Sequence, residues 1–276
     1  MKNKIITISK TIALLLVTVT LFSSCGEEHD FAPYSESVAA TAAKVKFTNA
    51  AIGPNGTNFS VNWFVNDVKT TAALTLTGLP LGIAYGGQYP SVYNYALLPS
   101  GSQSLRVEIP ATATIPTATV FSFPLTTEAK MNYSTFVVGA SPNYAAYTVK
   151  DNLNIADADP TKAYIRFLNL IPNSPTTGYD LSIKELNSNA VLYSGVKYLQ
   201  GNEVFIPITP VPDLDALTYE IQLKTIGTAT IVAKITMTPR KGRIYTFLSR
   251  GYVGGLSNGL PSATVNIPVV AWYTNK

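Results

Sequence analysis

Two residues in this 276-residue chain carry the side chains that most often attack, relay protons or bind soft metals. They are Cys25, the sole cysteine, and His29, the sole histidine. A Ser/His/Asp triad, a Cys/His pair, a zinc site or a metalloprotease motif needs at least one histidine or thiolate in a folded body. None of these can be assembled beyond residue 29. Gly86-Gly87 and Gly254-Gly255 lack the flanking residues of phosphate-cradling loops. What remains is carboxylates and aromatics. Asp67, Glu108, Glu128, Asp180, Glu185, Glu203 and Glu220 could supply an acid–base pair for glycoside hydrolysis. Their scatter over alternating segments reads instead as solvated strand faces. Asp151, Asp157 and Asp159 offer hard oxygen ligands for Ca²⁺, but no turn glycine and closing Glu complete a binding loop. The alternative is a solvated linker. Neither a metal nor a cofactor is expected. Tyr85, Tyr89 and Tyr93 crowd one segment with Tyr95 and could stack on a sugar ring. Otherwise they belong to a core or its rim.

Cys25 has a different chemistry available. Lys2, Lys4 and Lys10 flank or precede an apolar run of about twelve residues, 11–22, which suits a secretory signal and is short for a membrane span. Leu21-Phe22-Ser23-Ser24-Cys25 resembles a lipobox. The spacing predicts a lipoprotein signal peptide over 1–24, a diacylglycerol on the Cys25 sulfur and a fatty acid on the new amine. Each buried CH₂ contributes about 0.8 kcal/mol, so two or three chains anchor stably. Glu27, Glu28 and Asp30 resemble the surface-export signal of lipoproteins in the Bacteroidetes group. Residues 25–42 also read as a flexible, solvated tether. The expected location is the outer membrane, lipid-anchored, at the cell surface or on the periplasmic leaflet.

Without residues 1–24, about 250 remain, enough for one large or two ordinary domains. The formal charge of +4 falls to about +1 once the three signal lysines leave. No basic face suggests nucleic acid. With 13% charged residues, and with 18 Gly and 18 Pro to supply turns, the chain favours strands over helices. Val45 and Phe47 alternate with Lys44 and Lys46, and Val61, Trp63 and Val65 with Asn62 and Phe64. Leu105, Val107 and Ile109, then Leu181 and Ile183, then Tyr219, Ile221 and Leu223 repeat the pattern. A period of two predicts strands with one buried and one wet face. Ala43-Lys44-Val45-Lys46-Phe47-Thr48-Asn49 is matched 120 residues later by Ala163-Tyr164-Ile165-Arg166-Phe167-Leu168-Asn169. Two further matches follow in order: Tyr85-Gly86-Gly87 with Tyr193-Ser194-Gly195, and Thr135-Phe136 with Thr246-Phe247. This argues a duplication. The boundary is expected at Asp157-Ala158-Asp159-Pro160, giving domains at 43–158 and 159–276.

These segments also resemble a known family. Val45-Lys46-Phe47-Thr48-Asn49-Ala50 is similar to the opening of the DUF4397 domain. So are Tyr95-Ala96-Leu97-Leu98-Pro99-Ser100-Gly101 and Tyr133-Ser134-Thr135-Phe136-Val137-Val138-Gly139 to its later segments. Ile165-Arg166-Phe167-Leu168-Asn169-Leu170-Ile171-Pro172 resembles the same opening in the second half. Residues 203–217 depart, standing where a tight Pro-Gly turn belongs. The resemblance implies Ig-like or transthyretin-like sandwiches, often in tandem, in exported bacterial proteins, with no enzymatic activity established for the class.

The reading is therefore an all-β chain: two tandem Ig-like/transthyretin-like β-sandwich domains after a lipoprotein signal peptide. Its expected role is a lipid-anchored, non-catalytic binding or adhesion module. The alternatives are an accessory glycan-binding lipoprotein of a polysaccharide-uptake system and a structural subunit of a surface assembly. Expected partners are the membrane, through the lipid, and a glycan or protein at the surface.

Overall fold

The alternating segments form strands because β-branched and aromatic side chains pack well on a pleated, half-buried surface. A computed structural model describes residues 41–276, apart from 54–55, 57, 72, 75–79, 92, 112–116, 186–187 and 201–203. Cys25, Glu27, Glu28, His29, Asp30 and Glu203 lie outside the described residues.

The first half supplies β1 (Ala43–Asn49), β2 (Asn62–Val65), β3 (Val68–Lys69), β4 (Ala73–Leu74), β5 (Pro80–Leu81), β6 (Gln88–Tyr89) and β7 (Ala96–Leu98). It continues with β8 (Gly101–Ile109), β9 (Ala118–Thr127), β10 (Asn132–Ala140) and β11 (Asn143–Lys150). A one-turn helix, Ile155–Ala158, follows. The second half contains β12 (Ala163–Asn169), β13 (Tyr179–Lys184), β14 (Asn189–Val196) and β15 (Ile206–Ile208). It ends with β16 (Tyr219–Thr225), β17 (Ile231–Met237), β18 (Ile244–Arg250) and β19 (Val269–Thr274). No helix of the described residues is long and apolar enough to cross a membrane.

The chain is all-β, and its halves are two sandwiches with matching pairings. In the first, a β11-β10-β1-β6 sheet, with β7 also on β1, packs on a β3-β2-β8-β9 sheet. In the second, β15-β12-β18-β19 packs on β14-β13-β16-β17. Each opening strand lies parallel to a late strand. Lys46 is opposite Ser134 where β1 meets β10, and Arg166 is opposite Thr246 where β12 meets β18. The shared Phe-x-Asn ending has the same use in both. Asn49 donates to the carbonyls of Phe59 and Ile83 while its own oxygen accepts from the Ala51 N–H. Asn169 donates to the Val196 carbonyl and accepts from the Ile171 N–H. Each amide satisfies main-chain groups where the ladder stops and the chain turns.

Val45, Phe47, Val61, Trp63, Leu105, Val107 and Val137 make the first core, with Trp63 at 5.0 Å from the Phe47 ring and edge-on to Phe123. Ile165, Phe167, Leu181, Ile221, Leu223 and Phe247 make the second. A third apolar cluster joins them. Phe136, Val138 and Val149 pack with Leu168, Leu248 and Tyr273. Here the expectation of a wet strand face fails. The outer faces of β1 and β10 are covered by those of β12, β18 and β19, so Lys46 and Arg166 are both 0% exposed.

Candidate functional site

The buried seam is polar at one end. Arg166 projects from β12 on the face opposite Ile165 and Phe167, because successive strand residues point to opposite sides. It meets Asp151, one residue beyond β11. The Arg166 Nη2–Asp151 Oδ1 distance is 2.5 Å, and neither side chain has exposed surface. Arg166 also donates to the Lys150 carbonyl at 3.0 Å and to the Thr246 hydroxyl at 2.9 Å. The second oxygen of Asp151 accepts from Tyr95 at 2.7 Å, from Ser134 at 2.7 Å and from Asn275 at 3.4 Å. Tyr273 donates to Ser134 at 2.9 Å. Every side-chain nitrogen and oxygen of the buried pair has a hydrogen-bond partner, the condition under which a buried ion pair is tolerated. Burial acts to lower the Arg166 pKa, but the Asp151 charge and the neighbouring tyrosines outweigh it and leave the value raised. Burial, reinforced by the Asp151 charge, holds the Tyr95 hydroxyl well above its ordinary range, and burial raises Tyr273 likewise.

Lys46 is the counterpart of Arg166 in the first sandwich. Its ammonium donates to the carbonyls of Pro90 at 3.1 Å and Asn94 at 2.7 Å, and lies 5.0 Å from the centre of the Tyr95 ring. Burial pulls its pKa down to about 8, against the opposing pull of Asp151. Lys46 thereby ties Pro90 and Asn94 to β1.

Asn94, with Tyr93 and Tyr95 beside it, forms one wall of an open groove of about 560 Å³, also lined by Lys44, Leu97, Asn132, Leu153, Asn154, Arg243, Asn275 and Lys276. Both sandwiches contribute. Tyr95 and Asn275 also belong to the buried network, with the Asn275 amide donating to the Tyr95 hydroxyl at 2.9 Å. The Arg243 guanidinium lies 4.9 Å from the Tyr93 ring centre, and Tyr93 is 49% exposed. Lys276 pairs with Asp157 at 2.6 Å. The volume falls within the roughly 300–1,000 Å³ of small-ligand sites.

The three tyrosines singled out from sequence take different places. Tyr93 lines the groove. Tyr89 pairs with Phe47 and packs on the first core. Tyr85 sits beneath the Arg250 guanidinium, 4.5 Å from its ring centre, and burial raises its hydroxyl pKa. The carboxylates also separate. Asp151 is not part of a solvated linker, because Arg166 holds it in the seam. Asp157 turns to Lys276, and Asp159 accepts from the Thr161 backbone and hydroxyl. No group of metal-ligating side chains occurs among the described residues. Asp180 is buried as well, accepting from the Ser194 hydroxyl and from the Gly195 and Gly227 N–H groups. Burial acts to raise its pKa, but these donors win and leave it lowered.

The groove residues escaped the sequence reading, except Tyr93 and the neighbouring Tyr95. Arg243, Asn132, Asn154 and Lys44 carried no binding motif. The repeat held one usable signal. The 120-residue match places Lys46 and Arg166 at equivalent positions, each a cation between two core residues.

Residues 43–177 match the model of DUF4397, a domain of unknown function. The match spans the first sandwich and passes through β12 to Thr177. No curated protein matches the chain. Among solved structures, one described as alpha-glucan binding by a streptococcal virulence factor aligns at 12% identity and a TM-score of 0.24, covering 84% of this chain and 97% of that one. A second, on alpha-glucan recognition by family 41 carbohydrate-binding modules from streptococcal virulence factors, aligns at 12% identity and a TM-score of 0.23, with the same coverages. A Bacteroides fragilis protein provisionally assigned to cell adhesion aligns at 9% identity and a TM-score of 0.24, covering 84% and 98%. Likenesses at these TM-scores carry no ligand across to this chain.

Proposed function

Because residues 43–177 belong to the DUF4397 family, we propose that the chain is a lipid-anchored envelope protein whose sandwiches form a non-catalytic binding module at the cell surface. Cys25 is the acylated residue, and Glu27, Glu28 and Asp30 direct export. The second sandwich, over 159–276, is a divergent copy of the first, over 43–158. The matched pairing orders and the paired Asn49 and Asn169 support this.

The observation that carries the binding reading is the groove. It joins residues of both sandwiches, and Tyr95 and Asn275 tie its lining to the buried hydrogen-bond network. Pre-organised walls reduce the ordering cost of binding. The groove's mix of one exposed aromatic ring and several amides favours the accessory glycan-binding role over adhesion through a flat protein face.

The test has two arms. In cells, replacement of Cys25 by Ser should move the protein from the detergent phase to the aqueous phase and abolish the acyl mass increment. Unchanged partitioning would remove the anchor. In vitro, the labelled full chain should bind a glycan array and lose most of its signal with Tyr93→Ala. Turnover of any bound glycan, or binding indifferent to Tyr93, would overturn the proposed role.

A further inference from the structure

We propose that the groove selects an acidic saccharide, with Arg243 and Lys44 holding its carboxylate or sulfate while a sugar ring lies against Tyr93. This rests on the groove being a binding site. Its own content is the charge and class of the ligand.

The charge of the ligand follows from which cations are already neutralised. Ion pairs among the described residues join Asp67 and Glu108 to Arg106, Glu128 to Lys150, and Glu220 to Lys234. They also join Asp213 to Lys241, Asp151 to Arg166 and Asp157 to Lys276. Lys44 and Arg243 appear in none of them, and none of the described residues lining the groove has a carboxylate side chain. The nearest buried acid, Asp151, sits behind Tyr95 and is committed to Arg166. The groove therefore presents two cations that no ion pair among the described residues neutralises.

Arg243 is also held in a way that leaves it available. The cation–π contact with Tyr93 places the guanidinium over the ring, and no hydrogen bond or ion pair with the described residues occupies its N–H groups. A planar, pre-oriented guanidinium suits two-point binding of a carboxylate or sulfate.

The class of the ligand follows from the remaining lining. The side-chain amides of Asn94, Asn132 and Asn154 make no hydrogen bond with the described residues, although all three border the groove. An amide offers both donors and acceptor, as does a sugar hydroxyl. Tyr93 adds an apolar face with a hydroxyl at its edge. Among the described lining residues only Leu97 and Leu153 are aliphatic, too few to seat the apolar side chains of a peptide.

Titration calorimetry on the full chain in detergent tests this with four probes: trigalacturonate, neutral galactotriose, a sulfated chondroitin disaccharide and triglutamate. Trigalacturonate should bind and weaken as salt rises from about 50 to about 500 mM, because exposed charges are screened. Arg243→Gln, Lys44→Gln and Tyr93→Ala should each weaken it about tenfold, the loss of one charge-assisted or stacking contact. The melting temperature should not change, since all three side chains are exposed. Lys69→Gln, an exposed strand cation elsewhere, should leave binding intact. Tighter binding of the sulfated probe supports the same chemistry and names sulfate as its source. Equal binding of galactotriose overturns the acidic inference while the binding role survives. Preference for triglutamate overturns the saccharide class. Absence of binding to both acidic sugars overturns the inference, and the array then decides the binding role separately.

Discussion

Replacing Arg166 by Met isolates what the buried pair contributes. Methionine retains most of the aliphatic stem that packs beside Phe205, whose ring centre lies 4.6 Å from the guanidinium. It removes the charge facing Asp151. The carboxylate keeps Tyr95, Ser134 and Asn275 as neutral donors, but its compensating cation is gone, and the Lys150 carbonyl loses its guanidinium donor. Removing one partner of a buried pair costs about 3–5 kcal/mol, most of it from the stranded charge. In urea this corresponds to a midpoint lower by about 1–2 M for a chain of this size. Arg166→Met with Asp151→Leu should recover most of the loss, since no ion is then stranded. The measurement belongs near pH 9, where Lys46 is mostly neutral in the native protein and adds no second unbalanced charge. A single-variant cost below about 1 kcal/mol, or a double variant no more stable than the sum of its parts, would refute the assignment of Arg166 and Asp151 as a coupled clamp across the seam.

Lys46 predicts an alkaline rise in stability. Its pKa is about 8 in the folded protein against 10.5 for an ordinary lysine. The unfolded chain therefore binds the extra proton between those values, and stability increases as pH climbs from about 8 toward about 10. The full gain is about 3 kcal/mol. Above about 10 it is opposed, because the raised pKa values of Tyr95 and Tyr273 keep them protonated in the folded state while the unfolded tyrosines ionise. Urea midpoints across this range should show the rise, and Lys46→Met should flatten it; an unchanged slope in the variant would assign the effect elsewhere. Asp180→Ala should cost about 2–3 kcal/mol in thermal or urea unfolding by orphaning the Gly195 and Gly227 N–H groups. Because its carboxylate pKa is depressed, its contribution is present above the ordinary Asp range and lost as pH falls through the lower folded value. The variant should therefore show a smaller loss on acidification, and an unaltered acid limb would contradict this role.

The period-two alternation of Val45 with Phe47, and of Ile165 with Phe167, was enough to place strands and the two cores. Each residue's side of a strand follows from local backbone geometry. The 120-residue match likewise revealed the repeated β1 and β12 ladders, because the same Phe-x-Asn solves the same strand ending twice. What covers the second face of a strand is not local. Lys46 and Arg166 look solvated by pattern, and Asp151 looks like a linker acid. All three are buried by chain remote in sequence: Pro90, Asn94, Tyr95 and the Tyr273 ring lie against Lys46, and the opposite sandwich supplies Arg166 to Asp151. The tyrosines show the same division. Composition put Tyr85, Tyr89 and Tyr93 in one segment, but turns and pairing sent them to an arginine, a core and a groove. The sequence by itself determined strand identity, repeat and core faces, all set by short-range periodicity. Only the tertiary structure decided which charges are buried and which side chains share the groove, since both depend on surfaces that meet after the chain has folded.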